Sequence, residues 1–454
     1  MQNNLIFKVL GGGNEIGANS FLFSYGKDNF VMDCGLHPRK KGREIFPNYE
    51  IIKDMTVQNL MITHAHNDHI GALPYFLNLF PYANIYMTKP THSIAEITLA
   101  NTAFLMEREF EDEWDKSQIK YYTEETLNLI PMIIKQRDYN EKTSLNEQVN
   151  FQFTDAGHLL GSAGVLLNVE NKRVFFTGDI NFRSQKLIPK AELPKHKIDV
   201  LITETTNGLA ATMPDYDREQ ERLAQFINKI TNRGGSVLIP VFALGKASEM
   251  LARIDEMMMK NKIPHVPVYF SSLAKALNNV YDDFNYTVRR TKQGFKLSDI
   301  DVQILKREDI QRGEFYKKPG IILATSGMVI EGTYSYKIAK NFLRNRNFGI
   351  AMCGYCDPET PGYHIKNAEK FEIIYLDKYG VDTAEVLCHI ENFSFSSHST
   401  KEGIMHMVET LDPELIVLVH GDEPAIDSVG KEIVEKFPNK RVLAPEKYKD
   451  YQLL

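Results

Sequence analysis

Between residues 60 and 76 the chain reads LMITHAHNDHIGALPYF, and within it positions 64 to 69 carry His64, His66, Asp68 and His69. No other feature restricts the fold as much. The apolar residues ahead of the cluster read as a strand, whose two-residue period puts His64 and His66 on one side. The stretch HIGALPYFLNLF opens a helix, so Asp68 and His69 point from a different direction. One compact segment can thus face two adjacent ions. Four residues cannot close two sites, so further ligands must arrive from elsewhere. Three candidates stand at strand ends of similar character: His158 in DAGHLLGSAG, Asp179 in FFTGDIN and His420 at the end of LIVLVHGD. Each alone is a weak signal, whereas together beside the cluster they support one another.

Imidazole and carboxylate without thiolate suit zinc, with manganese or iron as alternatives. In a site with two metals about 3.5–4 Å apart, one carboxylate commonly bridges. Two divalent ions set against Asp68, Asp179 and a bridging hydroxide keep a charge of about +1, which suits an anionic substrate such as a phosphodiester.

At 454 residues the chain exceeds one ordinary core, which implies two domains or one with a large insert. Residues 1 to about 90 read as strands and turns, 92 to 142 as helical, and 150 to 206 as strands again. From 208 to 388 helical segments such as DREQERLAQFINKITNRGG alternate with short buried strands such as SVLIPV and GIILATSG, the pattern of a parallel α/β sheet. Residues 389 to 454 return to strand, helix and strand. Four cysteines make no disulfide framework, and the N-terminus shows no signal peptide, so a reduced, cytoplasmic protein is expected. No apolar stretch is long enough to cross a membrane.

The formal net charge is −6, so a nucleic-acid binder of this composition needs a local basic groove. Cations cluster at Arg39, Lys40, Lys41 and Arg43, at Arg289, Arg290, Lys292 and Lys296, and at Arg344 and Arg346. Each reads alone as a solvated face, but one that lined a cleft between domains would supply that field.

The motif order resembles the metallo-β-lactamase fold, an αββα sandwich with metals at one edge of its sheets. Its five motifs stand here as Asp33 in VMDCG, the HAHNDH run, His158, Asp179 and a late His. The insert resembles the β-CASP nucleases. Their three added motifs match Glu204 in LITETTNG, His398 in FSFSSHST and His420 in LVHGD, and IPVFALGKASEML and LATSGMVIEGTYSY resemble segments of the inserted domain. The resemblance implies a metallo-β-lactamase domain over 1–207 and 389–454 and an inserted α/β β-CASP domain over 208–388.

It also implies roles. His64, His66, His158 and Asp179 hold one ion. Asp68, His69, His420 and the shared Asp179 hold the second, with Asp68 counted among the catalytic residues as well. Asp33 orients a ligand imidazole from behind. His398 is the general acid for the leaving oxygen, and Glu204 fixes its tautomer. The implied function is a two-zinc ribonuclease that hydrolyses phosphodiester bonds of single-stranded RNA in processing or decay, attacking with a metal-bridging hydroxide. RNA-cleaving members carry His at the position of His420, where DNA-repair members carry an aliphatic residue. A DNA nuclease of the same family and an inactive RNA-binding subunit are the alternatives, and a homodimer is compatible with all three. Two positions depart from the family: Asn207 replaces a common aromatic, and GYCDPETPGYHI lacks the usual basic residue near Tyr363. Ser394, Ser396 and Ser397 are equally suited to contact phosphate or to cap the next helix.

Overall fold

In strand Leu5–Gly11 the side chains of Leu5, Phe7 and Val9 are buried, while Ile6 and Lys8 between them are only half-buried. Strand Val149–Asp155 repeats the alternation, with Val149, Phe151 and Phe153 inward and Asn150 and Gln152 outward. Two such strands, each with one apolar face, bury those faces by stacking two sheets. The computed structural model describes residues 4–109, 121–212, 215–377 and 379–454.

The described residues form two compact units. The first comprises Met1–Ser184, Ile188–Thr212 and Ser397–Leu454. It holds two seven-stranded sheets. One runs in the order Asp450–Gln452, Leu5–Gly11, Ser20–Tyr25, Asp28–Met32, Asn59–Met61, Asn84–Thr88 and Ile134–Arg137. The other runs Arg441–Leu443, Leu415–Val419, Val200–Glu204, Lys172–Phe176, Ala163–Val169, Val149–Asp155 and Thr143–Ser144. Both sheets are part parallel and part antiparallel. Their facing sides share one aromatic-rich core that includes Phe7, Phe21, Phe23, Phe30, Phe151, Phe153 and Phe176. Each such ring contributes about 1.5–3 kcal/mol by leaving water.

Helices cover the outer faces. Helix Lys89–Glu109 lies on strands Asn84–Thr88 and Ile134–Arg137. Ile404, Met407 and Val408 of helix Lys401–Leu411, with Ile426, Val429 and Ile433 of helix Glu423–Lys436, pack on Phe175, Leu201, Ile416 and Leu418 of the second sheet. This is the αββα sandwich expected from the sequence. One local expectation changes. The stretch read as helical over 92–142 contains helices Lys89–Glu109 and Glu124–Ile133 but then a strand, Ile134–Arg137. That strand pairs in parallel with Asn84–Thr88 and extends the sheet, so pairing overrides the local pattern. The part at 110–120 lies outside the described residues.

The second unit comprises Gln185–Leu187 and Met213–Ser396. Its six-stranded sheet, in the order Gln303–Ile304, Val268–Phe270, Ile321–Ala324, Val237–Pro240, Gly349–Met352 and His389–Asn392, is parallel throughout. Its central strands are buried along their full length, as a sheet covered on both faces requires. No described helix is long and apolar enough to cross a membrane.

Candidate metal centre

Strands Lys172–Phe176, Val200–Glu204 and Leu415–Val419 are parallel neighbours, so their C-terminal ends share one edge of the sheet. Asp179 follows the first, Glu204 ends the second and His420 follows the third. In the other sheet Asp28–Met32 and Asn59–Met61 are also parallel neighbours, and Asp33 and His64 lie just past their ends. His158 sits in the turn between strands Val149–Asp155 and Ala163–Val169. His66 caps the short helix Asn67–Ile70, which carries Asp68 and His69.

The turns are forced ones. Asp33 and His420 adopt left-handed backbone at φ 60° and 48°. Non-glycine residues hold such conformations only when their surroundings impose them, at about 1–3 kcal/mol each. Gly178, just before Asp179, needs φ 54°. A Cβ on Gly35 would fall 1.7 Å from the Asp68 carbonyl oxygen, so only glycine lets the ligand-bearing helix approach this closely.

The side chains converge in three groups, two of which share Asp179, each able to offer ligand atoms within 4.8 Å of one another: His64, His66, His158 and Asp179; Asp68, His69 and His420; Asp179, Glu204 and His398. In the first group His66 Nδ1 lies 3.1 Å from His64 Nε2 and 3.2 Å from His158 Nε2. Asp179 Oδ2 lies 3.5 Å from His64 Nε2 and 3.7 Å from His158 Nε2. A tetrahedral ion with bonds of about 2.0–2.1 Å sets its ligand atoms about 3.3–3.4 Å apart, so these spacings match such a shell. In the second group Asp68 Oδ2 lies 3.6 Å from His69 Nε2 and 3.3 Å from His420 Nε2. The other oxygen of Asp179 reaches this group, 3.4 Å from His69 Nε2 and 3.0 Å from His420 Nδ1.

Electrostatics separate the imidazoles. Burial, and then their histidine neighbours, push His64 and His158 well below the usual range, so both stay neutral with lone pairs available. Burial also acts downward on His69, but Asp179, Asp68 and Asp33 more than offset it and hold the ring at about 9. His420 is likewise raised well above its ordinary value, against burial, by Asp179 and Asp68. Carboxylates that draw protons onto two buried rings favour a metal cation in their place. Asp179 Oδ1, fully buried, accepts no hydrogen bond of good geometry among the described residues. An unsatisfied buried carboxylate oxygen is costly unless something cationic meets it. The donor set therefore fits divalent metal.

Residues behind the ligands turn them inward. Asp33 Oδ2 lies 2.8 Å from His69 Nδ1, and the backbone and hydroxyl of Thr63 donate to the same carboxylate at 2.7–3.0 Å. The Ser397 carbonyl oxygen lies 2.9 Å from His158 Nδ1. Asn19 Nδ2 lies 3.2 Å from His69 Nε2, and the Thr206 hydroxyl lies 3.2 Å from His420 Nδ1. His398 Nδ1 sits 2.9 Å from Glu204 Oε2, and the other oxygen of Glu204 accepts from the Ile180 backbone N–H at 2.8 Å. Burial lowers His398, and Glu204 and Asp179 raise it above its ordinary value.

All ten residues singled out in the sequence thus meet at one edge of the first unit. Asn19, Thr63 and Thr206 were not singled out, and Ser397, read as a phosphate contact or helix cap, instead meets His158 through its backbone carbonyl. Thr63 stands next to His64, but nothing in the local pattern distinguishes Asn19 and Thr206 from turn residues. Cys353 and Cys356 lie buried in the second unit.

Three family models match the chain in order. The metallo-beta-lactamase superfamily matches residues 13–224, the Beta-Casp domain 247–365, and the Zn-dependent metallo-hydrolase RNA specificity domain 383–445. Over 448 residues the chain is 30% identical to an Integrator complex subunit 11 homolog of Dictyostelium discoideum, covering 94% of this chain and 58% of that protein. It is 29% identical over 447 residues to cleavage and polyadenylation specificity factor subunit 3 of the same organism, covering 96% and 56%. With Integrator complex subunit 11 of Danio rerio it shares 29% identity over 442 residues, covering 94% and 71%. The chain therefore spans little more than half the length of the first two relatives. A solved structure, a protein of unknown function from Enterococcus faecalis V583, superposes with a TM-score of 0.57 at 13% identity over 99% of both chains, a likeness of fold alone.

Proposed function

Because the chain belongs to the metallo-beta-lactamase superfamily and to its β-CASP branch, we propose that it is a metal-dependent ribonuclease acting on the phosphodiester bonds of single-stranded RNA. A relative named as a cleavage and polyadenylation specificity factor subunit and the match to an RNA specificity domain support that substrate class. His420, where an aliphatic residue marks DNA-repair members, supports RNA over DNA. Buried thiols with no disulfide suit a reducing compartment, and the reading keeps the cytoplasm as the place of action.

His64, His66, His158 and Asp179 would hold one ion, and Asp68, His69 and His420 the other with Asp179 shared. Zinc suits this imidazole and carboxylate set, with manganese or iron as alternatives. Bound there, such ions supply Lewis-acid charge to a phosphoryl oxygen and lower the pKa of water. The protein's own groups do the rest. Asp33 accepts a hydrogen bond from His69 Nδ1–H and leaves Nε2 turned to the centre. The Ser397 carbonyl does the same for His158. Glu204 holds a proton on His398 Nδ1, so that His398 Nε2 delivers its proton to the departing oxygen.

The observation that carries this reading is the position of His398. It lies 3.8 Å from Asp179 and 2.9 Å from Glu204, and it keeps 20% of its side chain exposed where Asp179 keeps 2%. A ring beside the ligands, oriented by a carboxylate and open to solvent, suits proton transfer to a large substrate. Purified protein incubated with labelled single-stranded RNA, matched DNA and a lactam, with zinc and with chelator, tests it. RNA cleavage that chelator stops is expected. Cleavage of DNA alone, or of the lactam alone, would overturn the reading.

A further inference from the structure

Residues 284 to 296 read FNYTVRRTKQGFK and join helix Ser272–Asp283 to the short turn Leu297–Asp299. The segment holds Arg289, Arg290, Lys292 and Lys296 and no acidic residue, in a chain whose net charge is −6. Solvated charged faces usually mix both signs, because like charges crowded together repel. This single-sign segment is not a loose one.

Its ends are tied by Asn285, which is fully buried: Nδ2 donates to the Phe295 carbonyl at 2.8 Å, and Oδ1 accepts from the Gly294 N–H at 3.1 Å. Asp282 accepts from the backbone N–H groups of Leu297 and Ser298, each at 2.8 Å. The Thr291 N–H donates to the Leu187 carbonyl at 3.0 Å. Beneath the loop, Arg290 is buried over the Tyr281 ring, with Nη1 donating to the Tyr281 carbonyl at 2.7 Å. Its Nε and Nη2 have no hydrogen-bond partner among the described residues. The acids nearest this ring of charge are largely engaged. Glu249 accepts from the N–H groups of Lys186 and Leu187, and Asp282 is taken as above. Asp255 on helix Lys246–Met259 is within electrostatic reach of Lys292.

On the outside Arg289, Lys292 and Lys296 are exposed, and Tyr286 is 71% exposed. The ammonium of Lys292 lies 5.2 Å from the Phe295 ring centroid. Spaced cations beside an exposed aromatic on a stiff backbone form the combination that binds single strands: charges take phosphates, and the ring stacks a base.

We propose that residues 284–296 are a docking site for single-stranded RNA, separate from the metal centre, with Arg289, Lys292 and Lys296 contacting phosphates and Tyr286 stacking a base. This rests on the ribonuclease reading above.

The test is the fluorescence anisotropy of a labelled oligouridylate of about 20 nucleotides bound to the full chain in chelator, titrated between about 50 and 200 mM salt. The variant R289Q/K292Q/K296Q is expected to bind at least about ten-fold more weakly at low salt, with a log–log salt slope shallower by about 2, near 0.7 per lost phosphate contact. Tyr286→Ala is expected to weaken binding by about ten-fold and leave the slope unchanged. Both variants, loaded with zinc, should hydrolyse bis-p-nitrophenyl phosphate at the parent rate, which also reports that they fold. Wild-type affinity and slope in the triple variant would overturn the proposal. So would displacement of the RNA by oligoglutamate of equal length as readily as by unlabelled RNA. A chain that cuts RNA while the triple variant still binds it tightly overturns the loop alone. A chain that binds RNA through this loop and cuts none overturns the ribonuclease reading alone.

Discussion

In the second unit Glu249 is buried, with one carboxylate oxygen 2.7 Å from the Lys186 N–H and the other 3.0 Å from the Leu187 N–H. Arg253, one turn along the same helix, stands within its electrostatic reach and lies 4.7 Å over the Phe395 ring. Lys246 is buried beside them, donating to the Phe395 carbonyl, and burial pulls its ammonium down to about 8 even with Glu249 nearby. In the first unit Asp179 is buried as deeply, but imidazoles surround it: His420 Nδ1 and His69 Nε2 lie 3.0 and 3.4 Å from one of its oxygens, and other ring nitrogens beside it aim at one another. Both units bury charge. One closes its cluster with backbone and opposite charge, and the other gathers ring nitrogens and carboxylate oxygens that can ligate a cation. Burial of charge alone therefore does not mark a functional site; what marks it is that several ring nitrogens and carboxylate oxygens converge within metal-ligand reach of one another.

The strongest way to break this contrast is Asp179→Ala. Asp179 is shared by both ligand groups, so the variant is expected to fall from about two metal equivalents per chain to almost none, with hydrolysis lost. Elemental analysis that finds both metals retained would remove the two-ion arrangement. Next in size, His398→Ala is expected to slow RNA cleavage by a factor of about 10²–10⁴ with metal content unchanged. A substrate with a good leaving group should recover part of that loss. Metal depletion in this variant would make His398 a ligand instead.

Glu249→Ala probes the closed cluster. Removing one member of a buried compensated group is expected to cost about 3–5 kcal/mol in denaturant unfolding, and metal content of the folded fraction should not change. Asp33→Asn keeps the shape behind His69 but loses the charge that orients it, and metal affinity is expected to fall about 10–100-fold, read by competition with a chromogenic chelator.

The smallest effect concerns Glu256, at the rim of the closed cluster. Burial raises its pKa, but Lys186, Lys260 and Gln220 outweigh it and hold the carboxyl at about 2. A depressed carboxylate stabilises the fold fully above its unfolded value, and that contribution fades as pH falls toward about 2. Glu256→Gln should therefore melt below the parent at neutral pH, by an amount reflecting about 0.2–1 kcal/mol for a partly exposed pair. The gap should close in acid. A gap that stays constant with pH would show that the loss is one of shape.

Much of this protein was legible from local sequence. The run from His64 to His69 needs only the strand period and the start of a helix to face its side chains two ways. The alternating strands of the first unit and the fully apolar short strands of the second foretold one-sided and two-sided burial, because both follow from a period that spans a few residues. The order of motifs carried the resemblance that placed Asp33, Glu204 and His398.

Tertiary structure decided what distance in sequence hides. His420 and Asp68 are 352 positions apart and stand 3.3 Å from each other, because two stacked sheets bring strand ends of each, the end of Leu415–Val419 in one and of Asn59–Met61 in the other, to one edge. Pairing with Asn84–Thr88 turned Ile134–Arg137 from expected helix into strand. Asn19, Ser397 and Thr206 entered the site through backbone turns that no periodicity encodes. Nor could composition tell what meets each buried charge. Only the fold supplies two backbone N–H donors to Glu249 and a ring of imidazoles to Asp179.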